Sequence, residues 1–297
     1  MKEIIIWTLA LHLVVFTACV DYVDELDDDT DAEVEDHTAL IGNNFVQVSV
    51  GAYYACGLLE DGTVECWGDD SFGQREIPDM KFVQISAGGL HTCGVTVDGT
   101  IECWGINDDG QCDAPDGTDF IFVEASPCYN SCGVHADGTI ECWGDNEDGM
   151  CDAPGGEFAS VTCECHGCHA VREDGTLQSW GAIFPLPSSY AFDQVSAGTY
   201  YVLVLEEGGE VGCQGSGLYG VCDYPDTTYQ QIAAGHHHGC GILTDGRTLC
   251  WGEDSFGEVF PPKDKDFIQL DTSYFYSCGL TTNSAVWCWG IDERPFD

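Results

Sequence analysis

Along most of the chain, apolar and polar positions alternate in short runs opened by an aromatic residue. The runs are Phe45-Val46-Gln47-Val48-Ser49, Phe82-Val83-Gln84-Ile85-Ser86, Phe122-Val123-Glu124-Ala125-Ser126 and Phe158-Ala159-Ser160-Val161-Thr162, then Phe192-Asp193-Gln194-Val195-Ser196, Tyr229-Gln230-Gln231-Ile232-Ala233 and Phe267-Ile268-Gln269-Leu270-Asp271. A period of two is the pattern of a strand with one buried face. The starts lie 37, 40, 36, 34, 37 and 38 residues apart, so one unit is written seven times. Each copy continues through a Cys-Gly-apolar step, a turn, a Val/Ile-x-Cys strand and Trp-Gly. The tryptophans are 67, 104, 143, 180, 251 and 289, and copy five has Gln214-Gly215 instead.

The turns are Asp61-Gly62, Asp98-Gly99, Asp137-Gly138, Asp174-Gly175 and Asp245-Gly246, with Gly208-Gly209 in copy five and Asn283-Ser284 in copy seven. Asp-Gly between alternating strands signals a hairpin, because both central positions of a tight turn can require positive φ. No stretch after the N-terminal apolar run has the length and apolar period of a helix. Sheets this small cannot hide their own faces, so neighbouring copies must bury one another. The expectation is an all-β, seven-bladed β-propeller over residues 39–297. Copy seven is followed only by residues 291–297, so Leu40-Ile41 are expected to complete the last blade.

The full repeat, as in GAYYACGLLEDGTVECWGDDSFGQ and GGLHTCGVTVDGTIECWGINDDGQ, resembles the regulator of chromosome condensation repeat family, especially its compact bacterial seven-bladed members. The resemblance runs over roughly residues 44–290, with copies four and five degraded. It implies a propeller that uses its faces and loops for protein partners. The eukaryotic founder of that family acts on a small GTPase and binds chromatin, a role that an export signal and the charge of this chain argue against.

The N-terminus supplies that signal. Lys2 precedes the apolar run Ile4–Phe16, which ends Phe16-Thr17-Ala18-Cys19. The order fits a secretory signal peptide, and its end resembles a bacterial lipobox with Cys19 as the lipidated, palmitate-bearing residue. Residues 1–18 are thus read as a lipoprotein signal peptide and 19–38 as a lipid-anchored acidic tether. Residues 21–36 hold ten carboxylates in sixteen positions, too dense a charge for a core. Val20 after the cysteine points to the outer membrane.

Charge narrows the partners. The 297 residues contain 52 acidic and 8 basic side chains, a formal charge of -44. No basic groove for a phosphate backbone can be assembled, which excludes nucleic acid, and attraction to an anionic membrane surface is excluded likewise. Membrane association is through the lipid anchor alone, and the chain is expected to be a monomer.

Of the 19 cysteines, five pairs lie ten residues apart across the hairpins: Cys56–Cys66, Cys93–Cys103, Cys132–Cys142, Cys240–Cys250 and Cys278–Cys288. Facing strands and an oxidising compartment make these disulfides. Cys112–Cys128, Cys151–Cys165, Cys163–Cys168 and Cys213–Cys222 would complete the set. Cys165-x-x-Cys168-His169 has the order of a c-type haem attachment, but it occurs once, inside a repeat that elsewhere uses cysteine structurally. Disulfides are therefore the reading adopted, with no cofactor and no metal site. His236-His237-His238 cannot converge on one ion from a strand.

Two candidate faces follow. One loop set precedes the Cys-Gly step and offers Tyr53, Tyr54, His91, Tyr129, Tyr200, His237, His238, Phe275 and Tyr276, a mixture suited to protein or glycan contact. The other follows Trp-Gly and carries Asp69-Asp70, Asp108-Asp109, Asp145 to Asp148 and Glu253-Asp254, a solvated acidic rim able to hold calcium weakly. No triad, phosphate loop or His-Glu-x-x-His pattern is present. The expected function is an exported surface or periplasmic lipoprotein acting as a non-catalytic binding module for an envelope or extracellular protein or glycan. The alternatives are a polysaccharide-acting envelope enzyme using clustered carboxylates, or a structural or adhesive envelope protein.

Overall fold

The computed structural model describes residues 39–42, 44–183 and 191–290. Each copy of the repeat forms one antiparallel sheet, a blade, whose three strands lie side by side in chain order. In blade 1 these are Phe45–Val50 (inner), Tyr54–Leu59 (middle) and Val64–Gly68 (outer). The other inner strands are Phe82–Ala87, Phe120–Ala125, Phe158–Cys163, Phe192–Ala197, Tyr229–Ala234 and Phe267–Thr272. The fold is a seven-bladed β-propeller.

Blade 3 corrects the repeat boundary read from sequence. Its first aromatic is Phe120, not Phe122, and the Phe122 side chain takes the place that Gln47 and Gln84 hold in blades 1 and 2. A slip of two keeps the alternation intact, so pattern alone could not tell the two apart. Packing does. The Phe45 ring lies over Gly57, where an added Cβ would meet it at 2.5 Å, and Phe120 lies over Gly133 in the same way. This contact explains the glycine of the Cys-Gly step.

The core is divided among the interfaces between blades. Phe45, Val48, Val50 and Trp67 of blade 1 pack on Tyr276, Leu280 and Val286 of blade 7. On its other side blade 1 gives Tyr54, Cys56 and Leu58 to Phe82, Ile85 and Trp104 of blade 2. Blades 2 to 7 repeat the arrangement. No blade could bury these side chains alone, so each stabilises its neighbours.

Polar side chains stitch the same interfaces. Gln47 accepts from Ile85 N at 3.0 Å and donates to Ile85 O at 2.7 Å. Gln84, Gln194, Gln231 and Gln269 grip the following blade likewise. Two positions further on, Ser49, Ser86 and Ser196 hydroxyls accept from Ala87, Ala125 and Ala234 amides at 2.9 Å. The tryptophan of the outer strand adds a third tie. Indole Nε1 of Trp104, Trp143, Trp180, Trp251 and Trp289 donates at 2.8–2.9 Å to a backbone carbonyl in the loop of the preceding blade. In blade 5, Gln214 replaces the tryptophan.

The ring closes between blades 7 and 1. Asp271 Oδ2 accepts from Val50 N at 2.8 Å and Ser49 Oγ at 3.1 Å. The strand Ala39–Gly42 pairs with the outer strand Val286–Gly290, with Ala39 opposite Cys288 and Leu40 opposite Trp287. Blade 7 therefore has a fourth strand drawn from the N-terminal side, which covers the outer edge of Val286–Gly290.

The Asp-Gly hairpins differ from the tight turn expected. Leu59 N donates to Thr63 O and Gly62 N to Leu59 O, which closes a three-residue loop. Only the glycine has positive φ, 83° at Gly62. Asp61 instead caps the loop, its Oδ1 accepting from Thr63 N at 2.9 Å and from Thr63 Oγ1 at 2.5 Å. These bonds and Lys81 hold its carboxyl down at about 2.

Disulfides join Cys56–Cys66, Cys93–Cys103, Cys132–Cys142, Cys240–Cys250 and Cys278–Cys288, each pair directly opposed on middle and outer strands. Cys163–Cys168 and Cys213–Cys222 are bonded too. The proposed Cys112–Cys128 and Cys151–Cys165 pairs are not formed: Cys128 bonds Cys165, and Cys112 and Cys151 are free thiols. The reason is local. Cys112, Cys151 and Cys222 hold one position in the loop after Trp-Gly or its equivalent, and that loop folds back on its own blade. The Cys112 thiol donates to Ile106 O and that of Cys151 to Asp145 O. In blade 5, Leu203 stands opposite Cys213, which frees Cys213 for Cys222. Blades 2 and 3 have their outer-strand cysteines already bonded across the hairpin.

Candidate functional site

Strand direction decides which loops share a face. Each inner strand rises to one face, the middle strand returns, and the outer strand rises again. The loop before the Cys-Gly step and the loop after Trp-Gly therefore emerge together. Asp69 N donates to Tyr53 O, Ile106 N to Leu90 O, Asp145 N to Tyr129 O, Ser216 N to Tyr200 O and Glu253 N to His237 O. The two faces read from sequence are thus one loop face, and the Asp-Gly hairpins occupy the other.

Four of the nine residues assigned to a binding face do not reach it. Tyr54, His91 and His238 are fully buried and Tyr276 is 1% exposed. Each opens a middle strand and points between blades. Tyr54 Oη donates to His91 O at 2.6 Å and accepts from Thr92 Oγ1 at 2.9 Å. His91 and His238 bond Ser131 and Ser277 of the following blades, each at 2.9 Å. Burial lowers His91 to about 4 and His238 to about 3, so both rings stay neutral. Adjacent residues in an extended chain point opposite ways, and only the second of each pair begins the strand.

Their neighbours Tyr53, Tyr129, Tyr200, His237 and Phe275 do lie at the loop face, half-buried or exposed. Three of these join residues that sequence reading passed over or assigned elsewhere. Tyr219 stacks on His237 at 4.0 Å, His237 lies 3.8 Å from His236, and His236 stacks on Tyr274 at 4.5 Å. Tyr274 continues to Phe275 at 6.0 Å, which meets Tyr53 at 5.6 Å and Phe256 at 5.3 Å. The result is an aromatic arc across blades 5, 6, 7 and 1. Its signal in the sequence was the alignment of His236-His237-His238 with Tyr274-Phe275-Tyr276. On the far side of blade 5, Tyr200 stacks on His166 at 6.1 Å.

The carboxylates after Trp-Gly largely shape their own turns. Asp69 accepts from Ser71 Oγ at 2.6 Å and Gln74 Nε2 at 3.0 Å, and Asp70 from Arg75 N at 2.9 Å. In the equivalent loop of blade 6, Glu258 replaces Gln74, and its carboxylate accepts from Phe256 N at 2.7 Å. Burial, opposed by backbone donors and helped by Glu253 and Asp254, pushes Glu258 up to about 7.

The central channel, about 120 Å³ in volume, is lined by inner-strand residues including Glu124, Thr162 and Asp271. Glu124 is pushed up to about 8, first by burial and then by the Asp271 charge, and burial raises Asp271 to about 6. Both serve as acceptors between blades, Glu124 from Thr162 Oγ1 at 3.4 Å. That use argues against a hydrolytic pair.

Among the described residues, the cluster of metal-ligating side chains brought within 4.8 Å of one another is Cys132, Cys163 and Cys168. All three sulfurs belong to disulfides. The haem-like order Cys165-x-x-Cys168-His169 is likewise divided. Cys165 bonds Cys128, Cys168 bonds Cys163, and His169, 1% exposed, faces Ser179 Oγ at 2.8 Å. Cys19 and the acidic segment lie outside the described residues.

The model of the regulator of chromosome condensation (RCC1) repeat matches residues 45–74, 82–111 and 229–258, which fall in blades 1, 2 and 6. No curated protein sequence matches the chain. Among solved structures, the CRINKLY WD40 ectodomain of the Arabidopsis thaliana receptor kinase ACR4 is similar at 23% identity and a TM-score of 0.70, covering 86% of this chain and 100% of that one. Prp20p from Saccharomyces cerevisiae, described with its binding to Gsp1p and histones, is similar at 15% identity and a TM-score of 0.63, covering 84% and 81–83% of the two chains. Human WBSCR16 is similar at 15% identity and a TM-score of 0.65, with 88% of each chain covered. These likenesses establish an RCC1-repeat, propeller-type fold.

Proposed function

We propose that this propeller is a non-catalytic binding module that takes a protein partner on its loop face. The observation that carries this reading is the aromatic arc. Rings from four blades converge on one rim, and aromatic side chains with polar tips are the residues interfaces favour. Propellers host enzymes as well as binders, so the fold alone does not decide it. The use of Glu124 and Asp271 as struts between blades supports the non-catalytic reading. Prp20p, of the same fold, binds Gsp1p and histones.

The second part of the proposal is export. Eight disulfides in the described residues call for an oxidising compartment. Together with the N-terminal apolar run, they support a head carried outside the cytoplasm on an acidic tether, anchored by lipid at Cys19, in the outer membrane or at the cell surface. Labelling with a palmitate analogue tests the anchor: label on the wild type that Cys19→Ala abolishes is expected, and equal label on both overturns it. For binding, affinity capture from native envelope extracts is compared between wild type, the loop-face pair Tyr200→Ala/His237→Ala and the hairpin-face pair Asp137→Asn/Asp174→Asn. A protein retained by wild type and the hairpin pair but lost with the loop-face pair is expected. Retention by all three overturns the loop-face assignment.

A further inference from the structure

The loop face and the hairpin face differ in charge as well as shape. On the hairpin side, Lys81 pairs with Asp61 at 3.2 Å and Arg247 with Asp245 at 2.9 Å. Arg172 sits over the Phe158 ring, and Lys265 lies 4.2 Å from the Trp287 ring centroid beside the Thr282–Asn283 turn. On the loop side, the Arg75 guanidinium donates to the Gly68 carbonyl at 2.7 Å, and Lys263 follows Glu253 by ten residues in the segment after Trp251-Gly252. The carboxylates of those loops crowd one another: Asp109 is raised by burial and by Asp145, Asp108 and Glu147. Negative potential on this face is therefore poorly balanced from within the chain.

The aromatic arc lies in that field. His236 is lowered to about 4, by burial first and then by His237, so it is a neutral ring at physiological pH. His237 Nδ1 lies 2.8 Å from Glu253 Oε2, and Asp254 beside it is exposed. At the blade 1 end, Asp69 is hydrogen-bonded through its backbone to Tyr53, with exposed Asp70 next in the chain. The arc is thus a row of π faces and edges with carboxylates beside His237 and beside Tyr53. A neutral sugar would use the rings but not the carboxylates. An acidic segment would be repelled. Cationic side chains satisfy both features, stacking on the rings while pairing with the carboxylates.

We propose that the arc formed by Tyr219, His237, His236, Tyr274, Phe275 and Tyr53, with Glu253, Asp254 and Asp70 beside it, is a docking strip for an arginine- or lysine-bearing peptide segment of the partner. This rests on the reading of the loop face as a protein-binding surface and specifies the chemistry of what binds there.

The test uses the full chain and a fluorescein-labelled nona-arginine peptide, read by fluorescence polarisation at low and physiological ionic strength. A chain of charge -44 attracts any polycation, so the comparison between variants is decisive. Tyr219 is 54% exposed with φ 61°, so Tyr219→Asn suits the backbone and preserves the fold. Tyr219→Asn/Tyr274→Ala is expected to weaken peptide binding about tenfold. Glu253→Gln/Asp254→Asn is expected to weaken it and flatten its salt dependence. The hairpin-face pair Asp137→Asn/Asp174→Asn, which removes the same charge, should leave it unchanged. Equal losses from the two charge-neutralising pairs with no effect of the ring variant overturn the strip in favour of diffuse attraction. Binding of neutral chitohexaose that depends on the rings, without ring-dependent peptide binding, overturns it in favour of a glycan. Capture of a native protein through the loop face while nona-arginine binding ignores the arc overturns this inference and leaves the proposed function standing. Loss of both overturns both.

Discussion

Gln269 and Val48 lie 221 residues apart in sequence, yet the Gln269 side chain accepts from Val48 N at 3.1 Å and donates to Val48 O at 3.0 Å. The pair joins the last blade to the first with the same grip that joins blades 1 and 2. Closure is thus chemically one more copy of the ordinary blade interface. Gln269→Ala is expected to destabilise the fold by about 1–2 kcal/mol, since two backbone groups lose their partner. Gln84→Ala, at an interface between consecutive blades, should cost a similar amount. Chemical denaturation measures both; an unchanged midpoint for Gln269→Ala would contradict closure through this seam.

Stability should pass through a maximum near pH 6. Glu124, Glu258 and Asp271 have folded pKa values of about 8, 7 and 6, above their ordinary range. Their contribution is complete below the ordinary carboxylate range and is lost as pH rises through 6 to 8. His91, His236 and His238 run the other way, at about 4, 4 and 3 in the fold against an ordinary 6.5. Their contribution is complete above 6.5 and is lost as pH falls below it. Thermal unfolding across pH 4 to 9 should fall on both sides of the maximum by about 1–3 kcal/mol. Glu124→Gln should flatten the alkaline limb. A melting temperature that rises steadily to pH 9 contradicts this.

The free thiols make a third prediction. Burial and nearby aspartates raise Cys112 and Cys151 to about 11 each, so iodoacetamide should modify them slowly in the native protein at neutral pH. After non-reducing denaturation, these two should be the cysteines labelled within residues 39–290, and peptide mapping should recover Cys128 linked to Cys165. A peptide linking Cys112 to Cys128 contradicts the observed pairing.

The contrast between these two cysteine sets shows what the sequence could express. Hairpin partners such as Cys56 and Cys66 are readable because strand register turns sequence separation into spatial opposition. Cys112 and Cys128 sit in loops, where separation says nothing about direction, and the return of the Trp-Gly loop onto its own blade is a property of the folded chain. The same limit explains the binding face. Repeat alignment brought Tyr53-Tyr54, His237-His238 and Phe275-Tyr276 to one rim, but not the point at which each pair enters its strand. That point separates buried Tyr54 from half-buried Tyr53. The same alignment also brings His236 and Tyr274 to that rim, but the stacking that joins them into an arc depends on contacts between blades, which a repeat compared with its own copies does not show. Phe120 and Phe122 were indistinguishable because both alternate correctly; Gly133 decides between them only once the ring is seen above it.

Photo-crosslinking from the two faces reads out which of them carries the partner. Benzoylphenylalanine replaces Tyr200 or His237 on the loop face, and Asp137 or Asp174 at the hairpins, and each protein is irradiated in native envelope extract. One shared adduct is expected from positions 200 and 237, and none from 137 and 174. An adduct formed chiefly from the hairpin positions would contradict the loop-face assignment.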